Sequence, residues 1–435
     1  MTTLETPEQH SDPIEWLLES TEQVAEPRHA PAWIFAITNL PFGVSGSFTA
    51  VAMPFFLNRV HLPLGDIAQI SALIMIPAWL QFLWAPIIDL WIRRRLWLVL
   101  MSVIGGVLLG AAMLLPLPSH LLEYKILLLT GSIFSGLVGS CNGALVSTVL
   151  PDRYRGQAAG WVNAGNLGAG VLGGGVVLSL ARYSVHAAAL GVTLMVILPS
   201  LVALLIPEPE PSHEPLGTHL GAMVKDIYDA VRAPSGWTGL ILCMSPVGTV
   251  ALNNLFSGMG NDYHVGSATI EWLNGYGGGF ITAFGSLVAG FLLDRINRRT
   301  AYLATGVLSA LAALGMAMGR LDEQTFVIGC VFYMFVTGLA FAAFSAFVYE
   351  IVGTAGKTAG TLYSVFPAAG NFAIWYVIKF DGWGHDAWGP RGMLLTDAAL
   401  NLAGVAALMV LFRVLRLEAR VDRDAEIAEG IPEVA

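Results

Sequence analysis

Twelve long apolar stretches recur along this chain, and they restrict its fold more than any other feature of the sequence. A helix needs about 20 apolar residues to cross the hydrocarbon core of a bilayer. Backbone polar groups at that depth must be hydrogen-bonded within the protein, which favours helices. The sequence therefore predicts an all-α integral membrane protein with twelve transmembrane helices. The stretches lie at about residues 31–58, 67–90, 96–116, 124–150, 157–182, 186–206, 237–257, 269–293, 300–318, 325–352, 358–379 and 394–413.

The composition agrees with an outer surface that faces lipid. Charged residues make up 12% of the chain and hydrophobic residues 55%, whereas a soluble domain usually carries about 25% charged residues. There is no basic stretch with interleaved aromatic residues, so nucleic acid is not an expected partner. The three cysteines all lie in apolar stretches. This pattern argues against a disulfide framework or a zinc site, and no metal or other cofactor is expected.

The basic residues predict the orientation of the chain. Cytoplasmic loops of membrane proteins are enriched in Lys and Arg, and most of the 22 such residues lie on the side of the termini and the central linker. Both termini are therefore expected in the cytoplasm. The Arg-, Ala- and Gly-rich composition further indicates a bacterial inner (plasma) membrane. The predicted order is an N-terminal tail (1–30), a six-helix bundle (31–206), a linker (207–236), a second six-helix bundle (237–413) and a C-terminal tail (414–435).

An internal repeat relates the two halves at a spacing of about 205 residues. Residues 85–94 read Ala-Pro-Ile-Ile-Asp-Leu-Trp-Ile-Arg-Arg, and residues 290–299 read Gly-Phe-Leu-Leu-Asp-Arg-Ile-Asn-Arg-Arg. Each segment ends the second span of its half, with Asp89 matching Asp294. Weaker similarities connect the fifth span with the eleventh. Two parallel six-helix halves joined by a linker are the layout of a major facilitator transporter.

Family signatures support that layout. The pattern Gly-x-Leu-x-Asp-Arg-x-x-Arg-Arg at 290–299 resembles the signature loop of the major facilitator superfamily, with Asn297 where Gly is usual. Leu40-Pro41 and the run Phe-Leu-Trp-Ala-Pro-x-x-Asp at 82–89 resemble the branch of the muropeptide permeases (AmpG-type) and acetyl-CoA transporters, which also includes siderophore permeases. Gln81 stands where this branch often has Lys.

The resemblance implies a secondary active transporter that moves a small polar or amphipathic solute by alternating access. A proton-coupled permease for muropeptide-like solutes (anhydro-sugar peptides) is the main expectation. The alternative is a siderophore or other small-solute facilitator or exporter of the same superfamily. The expected partners are the solute, the lipid bilayer and protons, and the chain is expected to act as a monomer.

The two signature loops are candidates for a gate. A carboxylate can bind the positively polarised start of a helix, so Asp89 is expected at the eleventh helix near Thr358 and Asp294 at the fifth near Gln157. Such contacts would close the cytoplasmic side, although an ion pair within the loop, Asp294 with Arg298, is an open alternative. The gating and coupling candidates are Asp89, Arg93, Asp294, Arg295, Arg298 and Glu350.

Polar residues inside the spans are candidates for solute contacts, because a solute in such a fold binds near the midplane between the halves. Amides and aromatic faces suit a neutral, hydrogen-bonding solute. For any single residue, a contact between helices is an equally good interpretation. The candidates are Asn39, Ser45, Asn142, Trp161, Asn163, Asn166, Asn253, Asn254, Tyr276, Tyr333, Tyr363 and Asn371.

Proton coupling has no obvious carrier in the sequence. Coupled carriers often keep an ionisable residue at membrane depth, but the apolar stretches show none near a span centre and place Asp397 at an outer end. The chain is therefore either a facilitator or coupled through Glu350, the strongest candidate, or through Asp397 or Asp89. An enzyme would need clustered catalytic groups, and no such cluster occurs in the sequence, so a membrane enzyme, a passive channel and a scaffold are weaker interpretations.

Overall fold

The computed structural model describes residues 30–62, 64–89, 92–208, 234–260, 262–273, 277–353 and 359–428, with isolated positions at 221, 225, 228 and 232. All regular secondary structure in these ranges is helical, which confirms the all-α fold class. Most of the predicted N-terminal tail and linker lies outside the described residues, as does Thr358.

The helical segments in the described ranges group into twelve helices, α1–α12, which follow the predicted spans in order. The first half contains α1 (34–59), α2 (64–89), α3 (Arg94–Leu114), α4 (Leu121–Val149), α5 (Asp152–Ala181) and α6 (Val185–Leu205). The second half contains α7 (Pro234–Met244, Ala251–Asn254 and Phe256–Met259), α8 (Ser267–Trp272 and Gly278–Leu293), α9 (Arg298–Met318), α10 (Glu323–Val352), α11 (359–387) and α12 (390–428).

The outer surface is apolar. Eight helical stretches in the described parts of the chain are long and apolar enough to cross a membrane. Large apolar side chains also point outward, including Phe280, which is 65% exposed, and Met318, which is 81% exposed. Exposed apolar surface of this extent is expected where a protein contacts lipid rather than water.

The end of α11 differs from the prediction. The apolar stretch predicts an end near residue 379, but α11 continues to 387 and the chain turns at Trp388 and Gly389. Gly389 has a φ of 69°, a conformation that favours glycine. The span was predicted too short because hydropathy falls at Lys379 and Asp381. Asp381 is nevertheless fully buried.

Helix α7 is interrupted between its first two segments. Gly248 and Val250 adopt positive φ values of 64° and 48°, which no α-helix continues through. The backbone groups freed by this break find side-chain partners. Asn401 of α12 accepts a hydrogen bond from the Gly248 N–H at 3.1 Å, and the Tyr302 hydroxyl of α9 donates to the Val247 carbonyl at 2.7 Å. The break is therefore held by the surrounding helices, as membrane burial requires.

The two halves approach each other most closely where α5 crosses α8. A Cβ atom placed on Gly160 would lie 2.7 Å from the Cα of Gly290 and 2.7 Å from the carbonyl oxygen of Ser286. Only glycine fits at this distance, and small residues are what allow membrane helices to pack so closely. The halves are in direct backbone contact here, and a cavity lies between them elsewhere along the interface.

Candidate functional site

A cavity of about 640 Å³ lies between the two halves. It is lined by α1, α2, α4 and α5 from the first half and by α7, α10 and α11 from the second, with one residue each from α3 (Leu109) and α9 (Tyr302). Its described lining residues include no Asp, Glu, Lys, Arg or His. Its polar groups are amides and hydroxyls, which can both donate and accept hydrogen bonds. The size and chemistry suit a neutral small molecule, because small-molecule sites usually measure about 300–1,000 Å³.

Most of the predicted solute contacts are brought together in this cavity. Tyr276 lies outside the described residues, and four other candidates lie away from the cavity in this conformation. The candidates that line it are Asn39, Ser45, Asn163, Asn166, Asn254, Tyr363 and Asn371.

Three of the candidates away from the cavity hold helices together instead. The amide oxygen of Asn142 accepts a hydrogen bond from the Thr38 hydroxyl at 2.7 Å, which joins α4 to α1. The Asn253 amide donates to the Thr337 hydroxyl at 2.6 Å, which joins α7 to α10. Trp161 packs against the apolar core between the helices. In the structure these three residues bind or pack between helices and lie outside the cavity lining.

The fourth, Tyr333, contacts a buried carboxyl group. Its hydroxyl lies 3.4 Å from both carboxyl oxygens of Asp397. Neither Asp397 nor Asp381 has exposed surface. The apolar stretches place Asp397 at a span end and Asp381 outside any span. In the structure α11 continues past Asp381 and α12 packs back against it at Gly384. The second half therefore contains two ionisable groups that the sequence did not reveal as buried.

Amide side chains bridge the halves at the wall of the cavity. The Asn163 amide of α5 donates to the Ser345 hydroxyl of α10 at 2.8 Å. The Gln81 amide of α2 donates to the Ser364 carbonyl of α11 at 3.2 Å. These donors would lose their partners if the halves moved apart, and a bound solute could then replace the lost hydrogen bonds.

Several lining residues were not predicted as site residues. Ser132 and Ser135 of α4 lie three positions apart and so on one face of the helix, where Gly136 and Gly139 also line the cavity. This stripe of small residues was a signal that sequence reasoning could have used. The polar or aromatic lining residues that were missed are Phe42, Thr49, Ser71, Gln81, Ser132, Ser135, Thr249, Tyr302, Phe341, Phe344 and Ser345.

Asp89 joins the end of α2 to the start of α11. Its carboxylate has no exposed surface and accepts hydrogen bonds from the Gly360 N–H at 3.1 Å and the Thr361 N–H at 2.9 Å. The Thr361 hydroxyl donates a third at 2.9 Å, and Arg94 forms an ion pair at 2.9 Å. The predicted contact with α11 is present at Gly360 and Thr361, and Thr358, near which it was expected, lies outside the described residues.

Asp294 makes the corresponding contact between α8 and α5. Its carboxylate accepts hydrogen bonds from the Gly156 N–H at 2.8 Å and the Gln157 N–H at 3.1 Å, which confirms the predicted contact near Gln157. Burial raises the pKa of Asp294 above its ordinary value, although the same two N–H groups act in the opposite direction. Desolvation therefore offsets part of what these hydrogen bonds contribute.

A cluster of ion pairs surrounds Arg298, at the start of α9. Its guanidinium donates to the Asp152 carboxylate at 2.9 Å, to the Asp152 carbonyl at 2.6 Å and to Glu350 at 3.3 Å. Glu350, the coupling candidate, is 48% exposed and forms an ion pair with Arg298. Arg298 binds these residues rather than Asp294, so the predicted alternative, an ion pair within the loop, is not the interaction seen.

The two remaining gate candidates lie beside these contacts. Arg93 immediately precedes α3, and its carbonyl accepts hydrogen bonds from the Leu96 and Trp97 N–H groups. Arg295 is exposed on the turn after α8, where its N–H donates to the Leu292 carbonyl.

Two six-helix halves around a central cavity, with matched Asp89 and Asp294 contacts between them, define a membrane transporter built from a repeat. The chain belongs to the Major Facilitator Superfamily, because the sequence model of that family matches residues 35–245 and again 238–430.

Solved structures share this fold at low sequence identity. The proton:xylose symporter XylE, bound to 6-bromo-6-deoxy-D-glucose, is 13% identical with a TM-score of 0.64, and the match covers 86% of this chain and 94% of that one. The E. coli fucose:proton symporter FucP is 12% identical with a TM-score of 0.67, over 87% and 98% of the chains. The human organic anion transporter MFSD10 (TETRAN) is 17% identical with a TM-score of 0.65, over 87% and 98%.

Proposed function

We propose that this protein is a secondary active transporter that moves a small, neutral, hydrogen-bonding solute by alternating access between its two halves. The observation that carries the proposal is a cavity between the halves whose described lining is rich in amides and hydroxyls and free of charged side chains. A charged solute would lose its hydration there without gaining an opposite charge, which is costly. Hydroxyl-rich solutes such as sugars meet the same groups favourably.

The sugar part of an anhydro-muropeptide fits this chemistry, whereas its peptide carboxylates do not. The resemblance of α1 and α2 to the muropeptide permease branch keeps such a solute as a candidate, but Gln81 lines the cavity at the position where that branch often has Lys. XylE and FucP are named as symporters of the sugars xylose and fucose. A neutral sugar or sugar-containing solute is therefore proposed ahead of a charged sugar peptide or a siderophore.

The contacts of Asp89 and Asp294 form the gate of this proposal. Each joins the end of a helix in one half to the N-terminal part of a helix in the other half, so both must break when this side opens. The structure then corresponds to a state closed on the side of these loops. With the basic residues of the loops in the cytoplasm, that state faces outward, in a bacterial inner membrane with both termini cytoplasmic.

A thermal-shift screen of the purified protein in detergent tests the proposal. The ligands are D-xylose, L-fucose, an anhydro-disaccharide with and without its peptide, and a ferric siderophore. A ligand that binds the native state raises the melting temperature, with about 2.7 kcal/mol of stabilisation at a concentration of 100 Kd. A neutral sugar is expected to give this shift, and Asn254→Ala in the cavity wall is expected to reduce it.

Asn142→Ala is the matched control, because Asn142 holds α4 to α1 outside the cavity. It should lower the melting temperature but preserve the shift that the ligand causes. A shift caused only by the charged peptide or the siderophore would contradict the neutral-solute proposal, and a shift unaffected by Asn254→Ala would place binding elsewhere.

A further inference from the structure

Two carboxyl groups are buried together in the second half, away from the residues of the proposed gate. Asp381 lies near the end of α11 and Asp397 near the start of α12, and neither has exposed surface. The turn at Trp388 and Gly389 places them at similar distances along two packed helices. Gly384 of α11 packs against Gly392 and Thr396 of α12, so the two carboxyl groups lie on parts of the helices that are in contact, and they are near enough to interact electrostatically.

No cation balances this pair among the described residues. Both carboxyl oxygens of Asp381 lack a hydrogen-bond partner there, and Asp397 has only the Tyr333 hydroxyl of α10, at 3.4 Å. His385, one turn beyond Asp381 on α11, is 3.0 Å from Asp262 and so is already engaged. A buried carboxyl without a partner, beside a second buried carboxyl, is an arrangement that needs a bound ligand.

The smallest ligand that satisfies this arrangement is a proton. Two carboxylates sharing a buried site cannot both ionise, because desolvation and like-charge repulsion both disfavour the second charge. One proton shared by the pair removes the repulsion and supplies a donor to the unpartnered oxygens. Two interacting carboxyls of this kind titrate as a unit rather than as separate residues.

Hydrogen bonds connect the pair to the broken part of α7, which lines the cavity. The amide nitrogen of Asn401 donates to the backbone carbonyl of Asp397 at 3.0 Å. The amide oxygen of Asn401 accepts a hydrogen bond from the Gly248 N–H at 3.1 Å. Gly248 and Asn254 both line the cavity. A change in the charge of the pair would therefore act on a segment of the cavity wall within a few hydrogen bonds.

A second path reaches the same segment through α10. The Tyr333 hydroxyl of α10 contacts the Asp397 carboxyl group at 3.4 Å. One turn along α10, the Thr337 hydroxyl donates to the Tyr333 carbonyl at 2.9 Å and accepts from the Asn253 amide at 2.6 Å. Asp397 and the α7 break thus belong to one connected polar network, and Asp381 interacts with it through Asp397.

We propose that Asp381 and Asp397 form a proton-binding site, and that its occupancy is coupled through the α7 break to the conformation of the central cavity. The coupling rests on the proposed transport function, because it gives alternating access a proton to carry. The site itself does not depend on that function.

Infrared spectroscopy of the purified protein tests the site. Wild-type protein is expected to show the carbonyl band of a protonated carboxyl group at neutral pH and to lose it on alkaline titration. The double variant Asp381→Asn/Asp397→Asn keeps the shapes of the neutral side chains and should lack the band. Asp386→Asn, at an exposed position on the same helix, should retain it. A band that persists in the double variant would overturn the proposal.

The coupling is tested without any solute, by labelling a cavity cysteine from each side of the membrane at several pH values. Ser132→Cys, in a background with Cys141, Cys243 and Cys330 replaced by Ala, provides the reporter. The ratio of labelling from the two sides should change with pH in the wild-type sequence and become insensitive to pH in the double variant. An unchanged pH dependence in the double variant would overturn the coupling. Failure of the transport function would appear separately, as an absence of solute flux.

Discussion

Replacing Asp89 by Asn is expected to open the side of the protein that its contacts now close. Asn retains one acceptor oxygen, so at least one of the N–H contacts to Gly360 and Thr361 is lost across the interface between the halves. A hydrogen bond to a charged group contributes about 1.5–3 kcal/mol. Because the Asp89 side chain is fully buried, we take about 2 kcal/mol, which is roughly a 30-fold shift in the ratio of closed to open states.

Asp294→Asn should shift the ratio of closed to open states by a smaller factor. Asp294 is more exposed to solvent than Asp89, and the partial burial of its carboxyl group raises its pKa in spite of its two N–H donors. The lower end of the range then applies, about 1.5 kcal/mol, or roughly a tenfold shift. Asp89→Asn should therefore shift the ratio of closed to open states more than Asp294→Asn does.

The ratio is measured by labelling Ser132→Cys in sealed vesicles with a membrane-impermeant maleimide, from each side in turn. Native cysteines are replaced by Ala because Cys243 also lines the cavity. Asp322→Asn is the matched control, since Asp322 accepts a similar hydrogen bond from the Thr325 N–H at 2.9 Å but within one helix. Unchanged labelling in both gate variants, or an equal shift in the control, would refute the gating role.

Three further substitutions test other parts of the structure. Gly160→Val should prevent the close approach of α5 and α8, because its Cβ would lie 2.7 Å from the Cα of Gly290. The Ser132→Cys reporter should then be labelled from the side of the signature loops. Labelling equal to that of the wild-type sequence would contradict this expectation. Arg298→Gln should lower the free energy of unfolding by about 2 kcal/mol, because it loses charged hydrogen bonds. Arg295→Gln, at an exposed position, should change the free energy of unfolding by less than about 0.5 kcal/mol. Equal losses in the two variants would contradict a stabilising role for the ion-pair cluster. Asn163→Ala should weaken solute binding, measured by thermal shift, because its amide lines the cavity; unchanged affinity would remove it from the site.

The helices were predictable because a helix that crosses a membrane must have a minimum length and apolarity. Both properties can be read from one segment of the sequence. The repeated loops were predictable because Asp89 and Asp294 recur in the same context, and both contact the expected helices. Each of these predictions needed only one segment of chain, or two segments that resemble each other.

The cavity was only partly predictable, because a polar residue inside a span satisfies its hydrogen bonds either with a neighbouring helix or with a solute. Asn253 and Asn254 show this, since the first is bonded to Thr337 and the second lines the cavity. Asp381 was missed for a related reason. Its polarity ended the predicted span, whereas packing between α11 and α12 buries it.

Counterflow in proteoliposomes tests the central claim, alternating access through the cavity, most directly. Vesicles loaded with an unlabelled neutral sugar that gives a thermal shift are diluted into the labelled form of the same sugar. With alternating access, the label should accumulate transiently and saturably inside the vesicles, and Gly160→Val should slow this accumulation. Flux that rises linearly with concentration and shows no exchange would indicate a passive pore and contradict the account.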